Sequence, residues 1–350
     1  MQSHSRVDQR KQWLTEQFGE ASLSIEVASA DASFRSYYRV RCETPAKGSI
    51  RARPSYILMD APPEQENCQP FITMTALLAK AGLNVPEIIA ADLELGFLLL
   101  GDLGVSDYLS GLNEHSAGPL YHDALKALVQ MQIGINSSEL APYSCEVLKT
   151  EMQLFTDWFL IRHLQLDPDP GLLAVLEDSF EFLIHNCQEQ PQVFVHRDYH
   201  SRNLLQTLND NPGILDYQDA LYGPISYDVV SLLRDVYIRW PEPQIQHWLD
   251  DYHAMACNAG LLGIEDRSTL QRWFDLTGFQ RHLKIAGIFA RLYYRDHKPR
   301  YLGDIPLTLD YLEQVARKYP ELSKLSDAFV NLDILNLNQR MSHRALESQS

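Results

Sequence analysis

Positive charge is scarce in this chain. Its 350 residues include 30 lysines and arginines against 46 aspartates and glutamates, which gives a formal net charge of −16 at pH 7. Such a balance disfavours nonspecific binding to nucleic acid or to an anionic membrane surface. An enzyme that handles an anion must therefore concentrate its positive charge locally. The length exceeds what one compact core normally supports and favours two lobes.

Paired cysteines and long apolar runs are also missing. The five cysteines are scattered and never spaced as C-x-x-C, which argues against a disulfide framework and against a zinc site. No stretch approaches the roughly 20 apolar residues that a transmembrane helix needs. The N-terminus runs into a polar helix rather than an apolar secretory segment. We expect a cytoplasmic protein without membrane contact and without an obligatory protein partner.

The pattern of apolar residues changes near residue 104. Strand-like runs come first, at 24–27, 37–41, 56–59 and 97–100, with helical spacing at 7–18 and 71–81. Mostly helical segments follow, at about 119–133, 146–164, 171–188, 225–240, 242–259, 267–296 and 307–318, around a short β insertion. We predict a bilobal α+β fold with a small β-rich lobe at 1–103, a larger helical lobe at 104–337 and a polar tail at 338–350.

One loop and one strand end carry the residues that suit phosphoryl transfer. The loop His196-Arg197-Asp198-Tyr199-His200-Ser201-Arg202-Asn203 follows an apolar strand, and Asp216 ends the second strand of a hairpin. The pattern H-x-D-x4-N with a later strand-end Asp is typical of kinases. Phosphoryl transfer needs a carboxylate beside the acceptor and oxygen ligands for Mg²⁺. We predict a protein-kinase-like phosphotransferase with Asp198 as base and Asn203 and Asp216 as metal ligands.

Two other interpretations of this loop remain open. In the first, the triplet His196-Arg197-Asp198 occurs by chance on a polar loop. In the second, His196, Asp198 and His200 are ligands of a catalytic transition metal, although no second histidine cluster accompanies them. Asp228 opens a strong helix, where a carboxylate is favoured electrostatically. We expect Asp228, together with His196, to support the loop.

Several segments resemble a known family. His196–Asn203, Ile214–Asp219 and Gly223–Asp228 resemble the aminoglycoside phosphotransferase and choline kinase superfamily. Segments 30–35, 59–63 and 280–302 are similar to one subgroup, the anomeric N-acetylmuramate/N-acetylglucosamine kinases of Gram-negative peptidoglycan recycling, and the likeness runs from about residue 25 to 315.

The resemblance implies phosphorylation of the C1 hydroxyl of an amino sugar, with ATP and Mg²⁺. It also places His200 in the catalytic set, where protein kinases often carry a phosphate-contacting lysine. The alternative is another small-molecule kinase, of the aminoglycoside, choline or homoserine type.

The lysine that binds the phosphates of ATP in ordinary kinases is absent. The third strand reads Tyr56-Ile57-Leu58-Met59-Asp60, and the helix at 71–81 has no glutamate to pair with it. We predict that Arg35, with Ser33, replaces the lysine as a phosphate ligand, although Arg35 can also be read as a solvated loop charge. The absence of the Lys–Glu pair leaves open a catalytically inactive kinase fold that serves as a binding module.

Adenine and acceptor contacts are assigned from weaker patterns. Leu100 and Gly101 lie in the segment predicted as the hinge that contacts adenine, although they also suit a plain core. A basic stripe on the helix at 267–296 is a solvated face in one interpretation and part of the sugar mouth in the other. Its members are Arg281, Lys284, Arg291 and Arg295. Of these, Arg281 and Lys284, with Arg202, are the predicted substrate contacts.

Overall fold

Two compact units make up the chain. The structure, a computed structural model, describes residues 5–19, 21–30, 34–42, 53–136 and 140–347. Residues 1–107 with 204–219 form the first unit, and residues 108–203 with 220–350 form the second. The sequence predicts residues 204–219 for the larger lobe, but the backbone amides of Gln206 and Ile214 donate to Ser106 and Asn84 of the first unit. The boundary at residue 103 is corrected accordingly.

Nine strands and twelve α-helices are found in the described residues. The strands are β1 (Leu23–Ala30), β2 (Ser36–Cys42), β3 (Tyr56–Asp60), β4 (Ile88–Asp92), β5 (Phe97–Gly101), β6 (Gln192–Val195), β7 (Leu204–Leu205), β8 (Gly213–Ile214) and β9 (Leu221–Pro224). The helices are α1 (Arg6–Phe18), α2 (Gln69–Lys80), α3 (Tyr108–Gly111), α4 (Ala117–Gly134), α5 (Cys145–Leu154), α6 (Pro170–Gln188), α7 (Tyr227–Leu233), α8 (Glu242–Asn258), α9 (Arg267–Tyr294), α10 (Ile305–Lys318), α11 (Ser323–Asn331) and α12 (Ile334–Glu347). A π-helical stretch, Phe155–His163, continues α5.

The first unit is built on a five-stranded antiparallel sheet with the strand order β1-β2-β3-β5-β4. Helix α1 covers one face of this sheet because its apolar side is buried there. The shared core consists of Trp13, Leu14, Phe18, Val40, Tyr56, Leu58, Phe97 and Leu99. Strand β4 is not predicted from the sequence, since its two central alanines give a weak strand signal. The strand and helix that carry no Lys–Glu pair, β3 and α2, lie where the sequence predicts them.

Helix α9 is the central element of the second unit. It is buried on all sides, and its apolar residues share one core with α5, α6, α10 and the last helices. Gly287 permits this packing, because a Cβ atom there would lie 2.3 Å from the backbone carbon of Leu154. A short two-stranded sheet of β6 and β9 lies in the same unit and leads into the loop at 196–203.

The basic stripe on α9 is not a solvated face at two of its residues. Arg281 and Lys284 are only 4% and 6% exposed. Helical periodicity alone separates a basic face from an apolar face, but it cannot reveal that other helices enclose both faces. Buried cations need partners, and those partners lie around the loop at 196–203.

Two further predictions are corrected. The helix expected at 225–240 ends at Leu233, and the following Arg234 and Asp235 are buried and polar rather than helical. The segment expected as a polar tail at 338–350 is helical to Glu347 as part of α12. Apolar residues at helical spacing fix that helix, and Asn338 accepts a hydrogen bond from His163 in the interior. Within the described residues, no helix has the length and apolar character required to cross a bilayer.

Candidate active site

Asp228 fixes the start of the loop at 196–203. One oxygen of its carboxylate accepts from the backbone N–H of His196 at 2.6 Å, and the other accepts from the N–H of Arg197 at 3.0 Å. Arg197 has a φ of 77°, a left-handed conformation that costs a non-glycine residue on the order of 1 kcal/mol or more. The structure therefore places Asp228, at the start of α7, where it stabilises this bend.

A chain of short contacts orders the rest of the loop. His196 is fully buried, and its Nδ1 accepts from the backbone N–H of Asp198 at 3.3 Å. The carbonyl oxygen of Asp198 accepts from the N–H of His200 and from Nδ2 of Asn203, each at 3.0 Å. The last bond fixes the rotation of the Asn203 amide. Asp198, His200 and Asn203, all predicted from the sequence, thus belong to one hydrogen-bonded turn.

Buried cations surround the Asp198 carboxylate. Burial by itself would raise the pKa of Asp198, but the positive charges of Lys284, Arg281 and Arg197 outweigh it and lower the pKa below its usual value. Arg281 also donates to the carbonyl of Arg197 at 3.2 Å. The carboxylate is therefore ionised at neutral pH and is a weak base.

Glu151 on α5 was missed by the sequence analysis. Its carboxylate accepts from Arg197 at 2.5 Å, lies 2.9 Å from the Lys284 ammonium and accepts from the Tyr143 hydroxyl. Burial would raise the pKa of Glu151, but Lys284 and Arg197 lower it. The available signal was a charge on the apolar side of α5, one turn from the buried Leu148. Such a charge requires a buried partner.

Two anchors hold the middle of the loop. The Tyr199 hydroxyl donates to the carbonyl of Ala124 at 2.8 Å. The carboxylate of Asp235 accepts from the N–H and the hydroxyl of Ser201, at 3.0 and 2.5 Å. Asp235 was also missed, because the segment around it reads as a continuation of α7. These contacts leave the loop little freedom to change shape.

Arg202 lies on an aromatic platform. Its guanidinium carbon is 3.6 Å from the ring centre of Tyr237, and that ring meets His200 edge to face at 5.4 Å. Arg202 is half-buried, in contrast to Arg281 and Lys284. Burial lowers the pKa of His200, although Asp235 and Asp198 raise it in part, so the imidazole is neutral at pH 7. Among the described residues, its Nδ1 has no hydrogen-bond partner.

Asp216 belongs to the first unit, where it follows β8. It has a φ of 63°, and its carboxylate accepts from Nε2 of Gln218 at 2.8 Å. The neighbouring Tyr217 is fully buried; its ring stacks on Phe71 at 5.3 Å and its hydroxyl bonds to Thr75 at 2.8 Å. Helix α2 thereby fixes the backbone that carries Asp216.

Arg35 is not a solvated loop charge. It is 9% exposed, and its Nη2 lies 3.1 Å from a carboxylate oxygen of Glu66. Burial would lower the pKa of Arg35, but Tyr37, Glu66, Asp219 and Asp216 raise it above its usual value. The structure thus brings Arg35 near Asp216 within the first unit. Ser33, its predicted companion, lies outside the described residues.

Leu100 and Gly101, the predicted adenine contacts, are part of the sheet. Leu100 is 2% exposed, and the N–H of Gly101 already donates to the carbonyl of Glu87 at 2.8 Å. The core interpretation of Leu100 is therefore supported, and the adenine contact stays a prediction for the remaining backbone groups. Asp102, the next residue, accepts from Arg39 and Ser55, each at 2.6 Å.

The transition-metal interpretation of the loop has no support in the structure. His196 is enclosed and its Nδ1 is engaged by the backbone, so it cannot act as an open metal ligand through that atom. In the described parts of the chain, no group of three or more histidine, cysteine or acidic residues is arranged to hold a metal ion.

Comparison with known proteins gives matches over most of the chain. A family model described as "Phosphotransferase enzyme family" matches residues 24–265. The N-acetylmuramate/N-acetylglucosamine kinase of Pseudomonas putida is 42% identical over 337 residues, 93% of this chain and 96% of that protein. The kinase of the same name from Pseudomonas aeruginosa is 46% identical over 305 residues, 87% of each protein.

Solved structures support the fold. The choline kinase from Streptococcus pneumoniae has a TM-score of 0.60 at 11% identity and matches 89% of this chain and 100% of its own. At that identity the likeness concerns the fold alone. It confirms the α+β, protein-kinase-like class predicted from the sequence.

Proposed function

The chain belongs to the phosphotransferase enzyme family, and we propose that it transfers the γ-phosphoryl group of ATP to the C1 hydroxyl of N-acetylmuramate and N-acetylglucosamine. One observation carries the proposal. Relatives of that name are 42% and 46% identical over 93% and 87% of this chain. Asp198, Asn203 and Asp216, which the chemistry needs, are all present in this chain.

The properties of Asp198 suit a hemiacetal acceptor. A carboxylate with a lowered pKa is a weak base, so it orients a hydroxyl group and accepts its proton late. In a loose phosphoryl-transfer transition state, orientation matters more than strong base assistance. The C1 hydroxyl of a sugar is more acidic than an ordinary alcohol and needs less assistance. We therefore assign the C1 position, and Asp198 as the residue that orients it.

The oxygen donors of the site fit Mg²⁺. Magnesium prefers hard oxygen ligands and usually takes only one or two protein groups, with phosphate and water oxygens completing its shell. Asn203 offers an amide whose rotation is fixed by its bond to Asp198, and Asp216 offers a carboxylate oriented by Gln218. When bound, Mg²⁺ would neutralise charge on the transferred phosphoryl group.

For the nucleotide phosphates we assign Arg35 and His200. Arg35 offers a guanidinium group that is held near Asp216. His200 is neutral, so it can donate a hydrogen bond but offers no fixed charge, unlike the lysine it replaces. Ser33 remains a further candidate ligand, and Leu100 and Gly101 remain candidates for adenine.

For the sugar we assign Arg202 to the carboxylate that distinguishes N-acetylmuramate from N-acetylglucosamine. Arg202 is only half-buried, and its guanidinium lies over the ring of Tyr237. Arg281 and Lys284, the other predicted contacts, are buried and already face Arg197 and Glu151. We place these two residues behind Asp198, where they act on its charge rather than on the sugar.

A substrate panel tests the proposal. The purified protein is incubated with ATP and Mg²⁺ and with each of N-acetylmuramate, N-acetylglucosamine, an aminoglycoside, choline and homoserine, and ADP release is recorded. We expect turnover with the two amino sugars. Turnover with another acceptor alone would overturn the substrate assignment, and ATP binding without any turnover would favour an inactive binding module. A cytoplasmic role in peptidoglycan recycling accompanies this proposal.

A further inference from the structure

The Lys–Glu ion pair that holds the ATP phosphates in ordinary kinases is missing from the third strand and the helix that follows it. Strand β3 carries no lysine and ends at Asp60, whose carboxylate lies 2.6 Å from the guanidinium of Arg6 and 3.4 Å from that of Arg10. Helix α2 carries no acidic residue. The negative charge of this strand end is thus compensated by α1, and the usual position offers nothing to a phosphate.

A different ion pair lies in the same unit. Glu66 precedes α2, and Arg35 precedes β2. One carboxylate oxygen of Glu66 lies 3.1 Å from Nη2 of Arg35, and the other accepts from the backbone N–H of Phe34 at 3.3 Å. The side chains are 9% and 15% exposed for Arg35 and Glu66. Glu66 therefore holds both the end of the β1–β2 connection and the guanidinium group that follows it.

The surroundings explain why Arg35 needs such a partner. The carboxylates of Asp219 and Asp216 lie close enough to Arg35 to stabilise its charge. Without Glu66, the guanidinium would be attracted to these two groups, and Asp216 is one of the two proposed Mg²⁺ ligands. The bond to Glu66 holds the guanidinium of Arg35 in the part of the first unit that carries Asp216. Removing one partner of a buried ion pair leaves a charge uncompensated and forces such a rearrangement.

We propose that Glu66 is a positioning residue that holds Arg35 for the phosphates of the nucleotide, so that the Arg35–Glu66 pair replaces the missing Lys–Glu pair. This inference rests on the proposed kinase function. Arg35 contacts the phosphates, and Glu66 acts through Arg35. An arginine can contact phosphate oxygens and a carboxylate at the same time, because its five N–H groups point in different directions.

Nucleotide binding separates this role from a general effect on the fold. The affinities of the wild type, Glu66→Gln, Arg35→Met and the double variant are measured for ADP with Mg²⁺ by calorimetry. Adenosine, which has no phosphates, is measured as a competitive inhibitor against ATP. Glu64→Gln is the matched control, because Glu64 is exposed and lies two residues from Glu66. Thermal unfolding of each variant reports on folding.

We expect Glu66→Gln and Arg35→Met each to weaken ADP binding about tenfold or more. This is the effect of losing one hydrogen bond to a charged group. Adenosine inhibition, the KM for the sugar and the unfolding temperature should stay near the wild-type values. The double variant should be no weaker than Arg35→Met alone, because the two residues act as one unit. Glu64→Gln should behave as the wild type.

Three results would overturn the inference: equal losses for adenosine and ADP, additive losses in the double variant, or no loss in Glu66→Gln. A wild type that binds no ADP with Mg²⁺ would also overturn it. The calorimetric measurement of ADP binding requires no sugar, so that part of the test is independent of the acceptor. If the ADP losses appear as expected but no amino sugar is phosphorylated, then the proposed substrate is wrong while the role of Glu66 stands.

Discussion

The ammonium nitrogen of Lys284 lies 2.9 Å from a carboxylate oxygen of Glu151, and both side chains are less than 10% exposed. This contact joins α9 to α5 beside the loop that carries Asp198. Lys284 is also the strongest of the positive charges that lower the pKa of Asp198. A lysine of this buried pair therefore contributes to the lowered pKa of the proposed catalytic group.

Substitution of Lys284 should shift the pH dependence of turnover. Lys284→Gln removes a charge that lowers the pKa of Asp198, so that pKa should rise and the acidic limb of kcat/KM should move about one pH unit upward. Both sugars should show the same shift, because Lys284 acts on the base. The variant Lys284→Arg keeps the positive charge beside Glu151 and is the control; its acidic limb should stay near that of the wild type. Identical acidic limbs in the wild type and Lys284→Gln would contradict this account.

Removal of the Asp198 carboxylate should abolish chemistry but not nucleotide binding. Asp198→Asn keeps the shape of the side chain and loses the proton acceptor, so kcat should fall by about 10²- to 10⁴-fold. Affinity for ADP with Mg²⁺ should change by less than about twofold. The exposed Asp178→Asn on α6 serves as the matched control. Turnover and binding are measured on the same preparations, and a kcat close to the wild-type value would remove Asp198 from the mechanism.

Substitution of Arg202 should change the choice of sugar. Arg202→Gln removes the charge assigned to the carboxylate of N-acetylmuramate, so kcat/KM for that sugar should fall about tenfold or more. The value for N-acetylglucosamine, which is uncharged, should fall by less than about threefold. Arg340→Gln on α12, an exposed arginine, is the control. An equal loss for both sugars would assign Arg202 to the loop rather than to the substrate.

Stability should fall in mild acid because of His282. This residue is fully buried, donates toward the carbonyl of Arg234 at 3.2 Å and stacks on Tyr311 at 4.8 Å. Burial lowers its pKa to about 3, below the value of about 6.5 in the unfolded chain. The unfolded state therefore binds the additional proton first, and the stabilisation present above pH 6.5 is lost as the pH falls.

The expected slope is about 1.4 kcal/mol per pH unit between pH 6 and pH 4 from this group. Urea unfolding of the wild type at several pH values measures it. His282→Gln should lose most of that slope, whereas His247→Gln, at an exposed site on α8, should keep it. The same slope in both variants would mean that other groups cause the acid dependence.

The sequence predicts the strands and helices in which apolar residues repeat regularly. It misses features that depend on packing against other helices. Strand β3 and helix α2 lie where they were expected because their apolar residues repeat regularly. The basic stripe of helix α9 suits either a solvated face or part of the sugar mouth, since its period alone cannot show that α5 and α10 enclose it. Helix α12 was hidden by its polar composition, although its buried residues have helical spacing.

The residues of the candidate site also fall into two groups, those that the sequence pattern predicts and those that it misses. Asp198, His200 and Asn203 could be assigned because the turn that holds them is contiguous in the sequence. Glu66 and Glu151 could not, because each meets its partner only after distant segments pack together. Glu66 was overlooked because it precedes α2, whereas ordinary kinases carry the acidic partner within that helix.

The position of the phosphate in the product tests the central claim most directly. N-acetylglucosamine and N-acetylmuramate are each converted with ATP and Mg²⁺, and the coupling of phosphorus to the sugar protons is read by NMR. The account predicts phosphate on the anomeric C1 oxygen of both sugars, with no such product from Asp198→Asn. Phosphate at C6, or transfer only to an amine or to choline, would contradict it.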